Sequence, residues 1–342
     1  MKVLLYFENQ KMLDKSGIGR ALKHQQRALE QMGIEYTVNS RTEDYDILHI
    51  NTYGIKSLKM IRKARKLGKK VIYHGHSTEE DFRNSFIGSN QIAPLFKRYL
   101  VLLYSQADQL ITPTPYSKRL LEGYGLTMPI HAISNGIDLA KYEPSTTKEA
   151  KFRDYFHLDA HQKVVISVGL YFERKGIIDF IELAKRFPQY TFIWFGHTPL
   201  YTIPRKIRKL VRNHPKNVIF PGYIAGEIIE GAYSGADLFF FPSYEETEGI
   251  VVLEALASKQ KIVVRNIPVY EQWLTNQENC FMGQNCDEFE QLISGVLEER
   301  LPDLTENGYQ TAVSRSIDSI GIALKEVYQS VLVEEVSLEE YR

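Results

Sequence analysis

Short, nearly continuous apolar runs recur along this chain, separated by longer segments in which apolar residues return every three or four positions. Uniformly apolar runs predict strands buried on both faces, and the three-to-four rhythm predicts amphipathic helices. Strands are expected at Lys2–Phe7, Asp46–Ile50, Lys70–His74, Leu110–Thr112 and Ile130–Ile133. A polar break containing Pro144 follows at Tyr142–Lys151. The rhythm restarts at Val164–Val168, Tyr190–Phe195, Val218–Phe220, Leu238–Phe241 and Lys261–Val264. Helices are expected from about Ile18 to Met32 and from Leu304 to Leu332. Strand–helix alternation predicts an α/β fold with parallel strands. With 342 residues, the economical arrangement is two Rossmann-like, doubly wound domains facing across a cleft, 1–145 and 146–342.

Composition changes this picture little, but charge distribution sharpens it. Residues 1–150 hold 22 Lys+Arg against 15 Asp+Glu, a balance of +7 that residues 151–342 cancel. Much of the excess falls between Lys56 and Lys70, where Lys56, Lys59, Arg62, Lys63, Lys66 and Lys70 occur without an acid among them. Ile55, Leu58, Ile61 and Leu67 follow helical spacing there, so the segment reads as a basic amphipathic helix. Such a helix is either a solvated outer face or a docking face for an anionic membrane surface. The acidic second half disfavours nucleic acid. No apolar run approaches the length of a membrane span, and the N-terminus reads as a first strand. Two cysteines, Cys280 and Cys286, give no disulfide framework. A cytoplasmic protein, peripherally associated with the membrane, is expected.

The densest chemistry lies in Glu245–Leu256, EETEGIVVLEAL. A buried strand ends at Pro242-Ser243, a polar loop carries Glu246, and a helix is expected from near Gly249, with Glu254 in its second turn. Helix N-termini at strand ends attract anions, and flanking carboxylates hold hydroxyls, a combination suited to a nucleotide sugar. After Val168, Arg174-Lys175-Gly176 sets a planar cation and a point charge before a helix, where they can neutralise a diphosphate. Gly17 and Gly19 mark a tight loop after the first strand, without the third glycine of a dinucleotide fingerprint. His74 and His76 stand two apart with no third ligand, so zinc is not expected. Asp44-Tyr45-Asp46 has the form of a metal-binding DxD but directly precedes a strand. No catalytic metal is expected.

These residues resemble glycosyltransferase family 4, the retaining GT-B enzymes, over nearly the whole chain. Glu246–Ala255 matches the family's E-x7-E motif, Gly17 and Gly19 its N-terminal glycine loop, and Asn135-Gly136-Ile137-Asp138 its NG-x-D turn. His76 matches the acceptor-side histidine, with His74 the alternative, and Leu170 replaces the arginine of the family's VGR segment. HINTYG, HGHSTEEDFRNSFIGSN and the basic helix resemble the streptococcal-type glycolipid synthases that add a second sugar to monoglucosyldiacylglycerol, products that serve as lipoteichoic acid anchors.

The resemblance implies a UDP-sugar donor, UDP-galactose favoured over UDP-glucose, a glycolipid acceptor and no cofactor. Glu254 would hold the ribose, Glu246 the sugar hydroxyls, and Gly249 and Ile250 main-chain groups would orient sugar and phosphate. Arg174 and Lys175 would stabilise the leaving diphosphate, the acceptor would pass His76 and the glycine loop, and Gly17, Gly19 and Asn135 would also belong to the donor-binding set. The terminal helix is expected to pack back toward the N-terminal domain. Alternatives are a polysaccharide or capsule acceptor and a non-catalytic GT-B subunit.

Overall fold

The computed structural model describes residues 1–8 and 17–333. Among these residues twelve parallel strands form two six-stranded sheets. The first holds β1 (Lys2–Tyr6), β2 (Glu35–Thr37), β3 (Ile47–Ile50), β4 (Lys70–His74), β5 (Gln109–Thr112) and β6 (Ile130–Ala132), in the order β2-β1-β3-β4-β5-β6. The second holds β7 (Val164–Val168), β8 (Thr191–Phe195), β9 (Val218–Gly222), β10 (Leu238–Phe241), β11 (Ile262–Arg265) and β12 (Phe281–Gly283), in the order β12-β11-β10-β7-β8-β9. Each order reverses once, between β1 and β3 and between β7 and β10. In doubly wound sheets ligands bind beyond the strand C-termini at that reversal.

Period-two alternation divides β1, β3, β4 and β5 between two cores. In β1, Leu4 and Tyr6 join Ile61 and Ala64 of helix Ile55–Lys66 and Leu100 and Leu103 of helix Ser89–Tyr104. Val3 and Leu5 face Leu22 and Leu29 of helix Gly17–Gln31 and Leu324 and Tyr328 of helix Ile317–Val333. In the second sheet Phe192, Trp194 and Phe240 pack on Phe180 and Phe289. Continuous apolar runs are what a sheet covered on both faces requires.

The chain forms two compact units. One comprises the described parts of 1–79, Ile92–Ile137 and the chain from Arg315; the other comprises Glu80–Gln91 and Asp138–Ser314. The chain thus changes unit after Ile137, ahead of the polar stretch read as the break. The segment read as one terminal helix is two, Thr305–Val313 and Ile317–Val333. Between them Ser316 bridges to Ile137. Strands β2 and β12, short and lying at sheet edges, go beyond the expected set.

Candidate active site

Strand β10 is wholly buried and ends at Pro242, which has no N–H to continue the ladder. The loop that follows leads to helix Ile250–Ala257, every residue of which is buried. Gly249 caps this helix at φ +86°, a left-handed conformation that favours glycine. It provides no capping side chain, so the helix presents its first-turn N–H groups without one.

Beside this loop lies the turn Glu173–Lys175 after β7, the sheet neighbour of β10. The two loops are stitched together. Tyr244 donates its backbone N–H to the Arg174 carbonyl at 2.7 Å, and Ser243 Oγ reaches the same carbonyl at 3.2 Å. Gly176 holds the turn at φ +75° and lies against the Pro242 backbone. The second sheet's reversal point therefore carries Lys175 and Glu246 in one place.

Lys175 Nζ donates to Glu246 Oε1, which also accepts from Ser243 Oγ at 2.7 Å. Both charged groups are buried, the lysine side chain 14% and the glutamate 7% exposed. Burial lowers the lysine's pKa, against the opposing pull of Glu246. Arg174, also buried, donates Nε to Ser85 Oγ at 2.9 Å and Nη1 to the Glu245 carbonyl at 3.1 Å. The same Nη1 meets Asp81 Oδ1 at 2.9 Å. Burial raises the Asp81 carboxyl, and the neighbouring Arg174 pulls it back. Glu254 is held separately: it is 1% exposed and accepts from Tyr233 Oη at 2.6 Å.

A cation in contact with an acid, next to an uncapped helix start, is a ready site for a phosphorylated, hydroxyl-rich ligand. Among the described residues no group of three or more His, Cys, Asp or Glu side chains is arranged to hold a metal ion. Of the residues expected from the sequence, the structure brings Arg174, Lys175 and Glu246 together on the two loops ahead of Gly249 and Ile250, and it places Glu254 apart, against Tyr233. Ser243, Tyr233, Asp81 and Ser85, which contact these side chains, were not singled out by the sequence pattern. Ser243 was discoverable, since Ser-x-x-Glu in one loop places hydroxyl and carboxylate within reach. Asp81 lies 93 positions from Arg174, beyond any local signal.

The remaining predicted residues lie in the first unit. Gly17 and Gly19 stand in the first turn of helix Gly17–Gln31, not in a loop. Residues 9–16, which precede them and include Ser16, lie outside the described part. Asn135 accepts at its carbonyl from His24 Nδ1 at 3.2 Å. Gly136 has φ +77°, and an added Cβ would lie 2.6 Å from Ile320 Cδ1. His76 is 8% exposed and stacks on His74, ring centres 4.0 Å apart.

The basic segment is shorter and less free than its sequence suggests. Its helix is Ile55–Lys66, and Lys70 opens β4. Lys63 pairs with Glu43 at 3.1 Å and Arg65 with Asp108 at 2.8 Å. Ile55 does not join the core, being 71% exposed, because the buried face is Ser57, Ile61 and Ala64. Lys56, Lys59, Arg62 and Lys66 remain exposed. Among the described residues no helix is long and apolar enough to cross a membrane.

Comparison with known proteins adds an independent finding. Residues 148–311 match the family described as glycosyl transferases group 1, and residues 39–141 match glycosyltransferase family 4. A processive diacylglycerol alpha-glucosyltransferase of Acholeplasma laidlawii is 52% identical over 97% of this chain and 99% of its own length. An alpha-galactosylglucosyldiacylglycerol synthase of Streptococcus pneumoniae is 28% identical over 82% and 72%. Among solved structures, Anabaena HepE in complex with UDP-glucose superposes with a TM-score of 0.78 at 20% identity, covering 96% of this chain and all of that one. That likeness concerns the fold, which is GT-B.

Proposed function

Because the chain belongs to the glycosyltransferase family whose relatives build glycolipids on diacylglycerol, we propose that it transfers glucose from UDP-glucose to a diacylglycerol lipid and then to its own glucosyl product. The 52% identity to a processive glucosyltransferase, across nearly the full length of both chains, carries this reading. It favours glucose over the galactose that the sequence motifs suggest. An α-linked product from an α-linked donor means retention at the anomeric carbon.

Within the second unit, Glu254 takes the ribose hydroxyls and Glu246 the sugar hydroxyls. Lys175 exchanges part of its contact with Glu246 for the diphosphate, and Arg174 offers its guanidinium. Gly249 and Ile250 present main-chain N–H groups to the sugar and phosphate. Each such contact, strengthened as charge grows on the leaving group, contributes about 3–4 kcal/mol to lowering the barrier. His76, Asn135, Gly17 and Gly19 serve the acceptor. In a front-face reaction the C1–O bond to UDP breaks as the acceptor oxygen bonds C1, and the acceptor proton passes to the leaving phosphate. No divalent metal takes part.

The lipid is reached from the cytoplasmic face of an anionic membrane, with the protein docked peripherally. Supporting this are Lys59, Arg62 and Lys66, exposed on one helix face with Ile55, and the exposed Ile92, Leu95 and Leu102. Tyr53 joins the two helices' surroundings, its ring 5.4 Å from Phe96 and its carbonyl accepting from Tyr99 Oη at 2.7 Å. Thin-layer analysis of products from UDP-glucose and UDP-galactose, each with diacylglycerol and with glucosyldiacylglycerol, tests the proposal. Mono- and diglucosyl lipids are expected. Product from UDP-galactose alone, or none from lipid acceptors, would overturn it.

A further inference from the structure

A buried polar cluster stands along β3 and β4 of the first sheet, and of its members the proposed chemistry uses only His76. His49 in β3, His74 at the end of β4 and His76 just beyond form a stack of three rings. His49 and His74 lie 5.5 Å apart at 4°, and His74 and His76 lie 4.0 Å apart at 7°. Tyr328 Oη anchors its foot, 2.6 Å from His49 Nδ1.

Two amides tie the stack together. Gln25 Nε2 donates to Asn51 Oδ1 at 2.8 Å and lies 2.9 Å from His74 Nδ1. Asn51 Oδ1 lies 2.9 Å from His76 Nε2. This chain has a direction. If Gln25 donates, His74 Nδ1 accepts, Asn51 Oδ1 accepts twice, and His76 Nε2 must carry the proton. Turning one amide alone would set two donors or two acceptors face to face, so the arrangement reverses only as a whole.

We infer that Gln25 and Asn51 are positioning residues that lock His76 as the Nε2–H tautomer, so that its Nδ1 can only accept a hydrogen bond from a substrate hydroxyl. The inference rests on the reading that His76 meets the acceptor. Burial supports it, because it holds His76 neutral, with its pKa depressed to about 3. The titratable groups facing it are His74 and, beyond that, His49; burial depresses both. A neutral acceptor there holds, by its proton, a substrate hydroxyl other than the attacking one, which orients the substrate and leaves the attacking hydroxyl's own proton free to pass to the leaving phosphate.

Long-range proton–nitrogen correlation on the full chain with labelled histidine tests the tautomer at neutral pH. His76→Gln identifies the signal by its disappearance. The inference predicts a lone-pair-bearing Nδ1 and a protonated Nε2; a protonated Nδ1, or an imidazolium, overturns it. Kinetics provide a second readout. Asn51→Leu should raise the acceptor KM about tenfold with the donor KM unchanged. Asn51→Asp should raise the His76 pKa, so that kcat falls as pH drops from 8 to 6 where the wild type is flat. A flat profile in Asn51→Asp would overturn the positioning role. Wild-type turnover in His76→Gln would instead withdraw the acceptor contact, even with the tautomer as predicted.

Discussion

Replacing Gly176 by alanine tests whether the stitched loops set the donor site. An alanine Cβ there would lie 2.7 Å from the Pro242 carbonyl carbon and closer still to its oxygen. Ordinary contact begins near 3.4 Å, and the obstacle is backbone, so the turn must move by roughly 1 Å. That displacement carries Arg174 and Lys175 away from β10. Misplacement on this scale costs about 10²-fold in rate. A left-handed conformation in a non-glycine residue adds roughly 1 kcal/mol to the folding cost. Gly222→Ala separates the two effects, because Gly222 has φ +82° with open space around its Cβ position. Initial rates with saturating lipid, beside urea unfolding of both variants, provide the assay. Gly176→Ala should lose about a hundredfold in kcat/KM for the donor, and Gly222→Ala should lose comparable φ-related stability with near-normal turnover. Equal activities in the two variants would refute the idea that this loop contact positions the cations.

Other consequences follow from the same geometry. Lys175→Met should reduce kcat by roughly 10²–10³-fold, and loss of stability without loss of rate in the residual folded enzyme would contradict its role. Charge reversal of Lys59, Arg62 and Lys66 to Glu, or Leu95→Ser, should each weaken sedimentation with anionic vesicles; unchanged binding would return this face to solvent. Burial holds His49, His74 and His76 neutral when folded, so the unfolded chain binds more protons below about pH 6.5 and stability falls with pH. At pH 5.5 each contributes about 1.4 kcal/mol of loss, roughly 4 kcal/mol together, and equal urea midpoints at pH 5.5 and 7.5 would contradict this. Transfer should persist in EDTA; inactivation reversed by added Mg²⁺ would introduce a metal.

The legible parts of this fold were those where burial leaves a continuous trace. Strands such as Leu238–Phe241 are apolar on both faces and stand out from any helical rhythm. Strand β2, three residues with a partly exposed pattern at an edge, lacks that trace. The division of the terminal helix was hidden because Ser314-Arg315-Ser316 tolerates helix, and the bridge from Ser316 to Ile137 is long-range. Periodicity identified the basic helix but not its orientation, which depends on the whole sheet; hence Ile55 points outward. Glu246 and Lys175 could be paired from motifs, whereas the hold of Asp81 and Ser85 on Arg174 belongs to tertiary structure.

The most direct test is a crystal structure of the enzyme with UDP bound. The account predicts ribose hydroxyls within hydrogen-bond distance of Glu254 and the β-phosphate against Lys175 and the N–H groups of Gly249 and Ile250. A nucleotide seated elsewhere, with Lys175 still closed on Glu246 and Glu254 contacting only Tyr233, would contradict it.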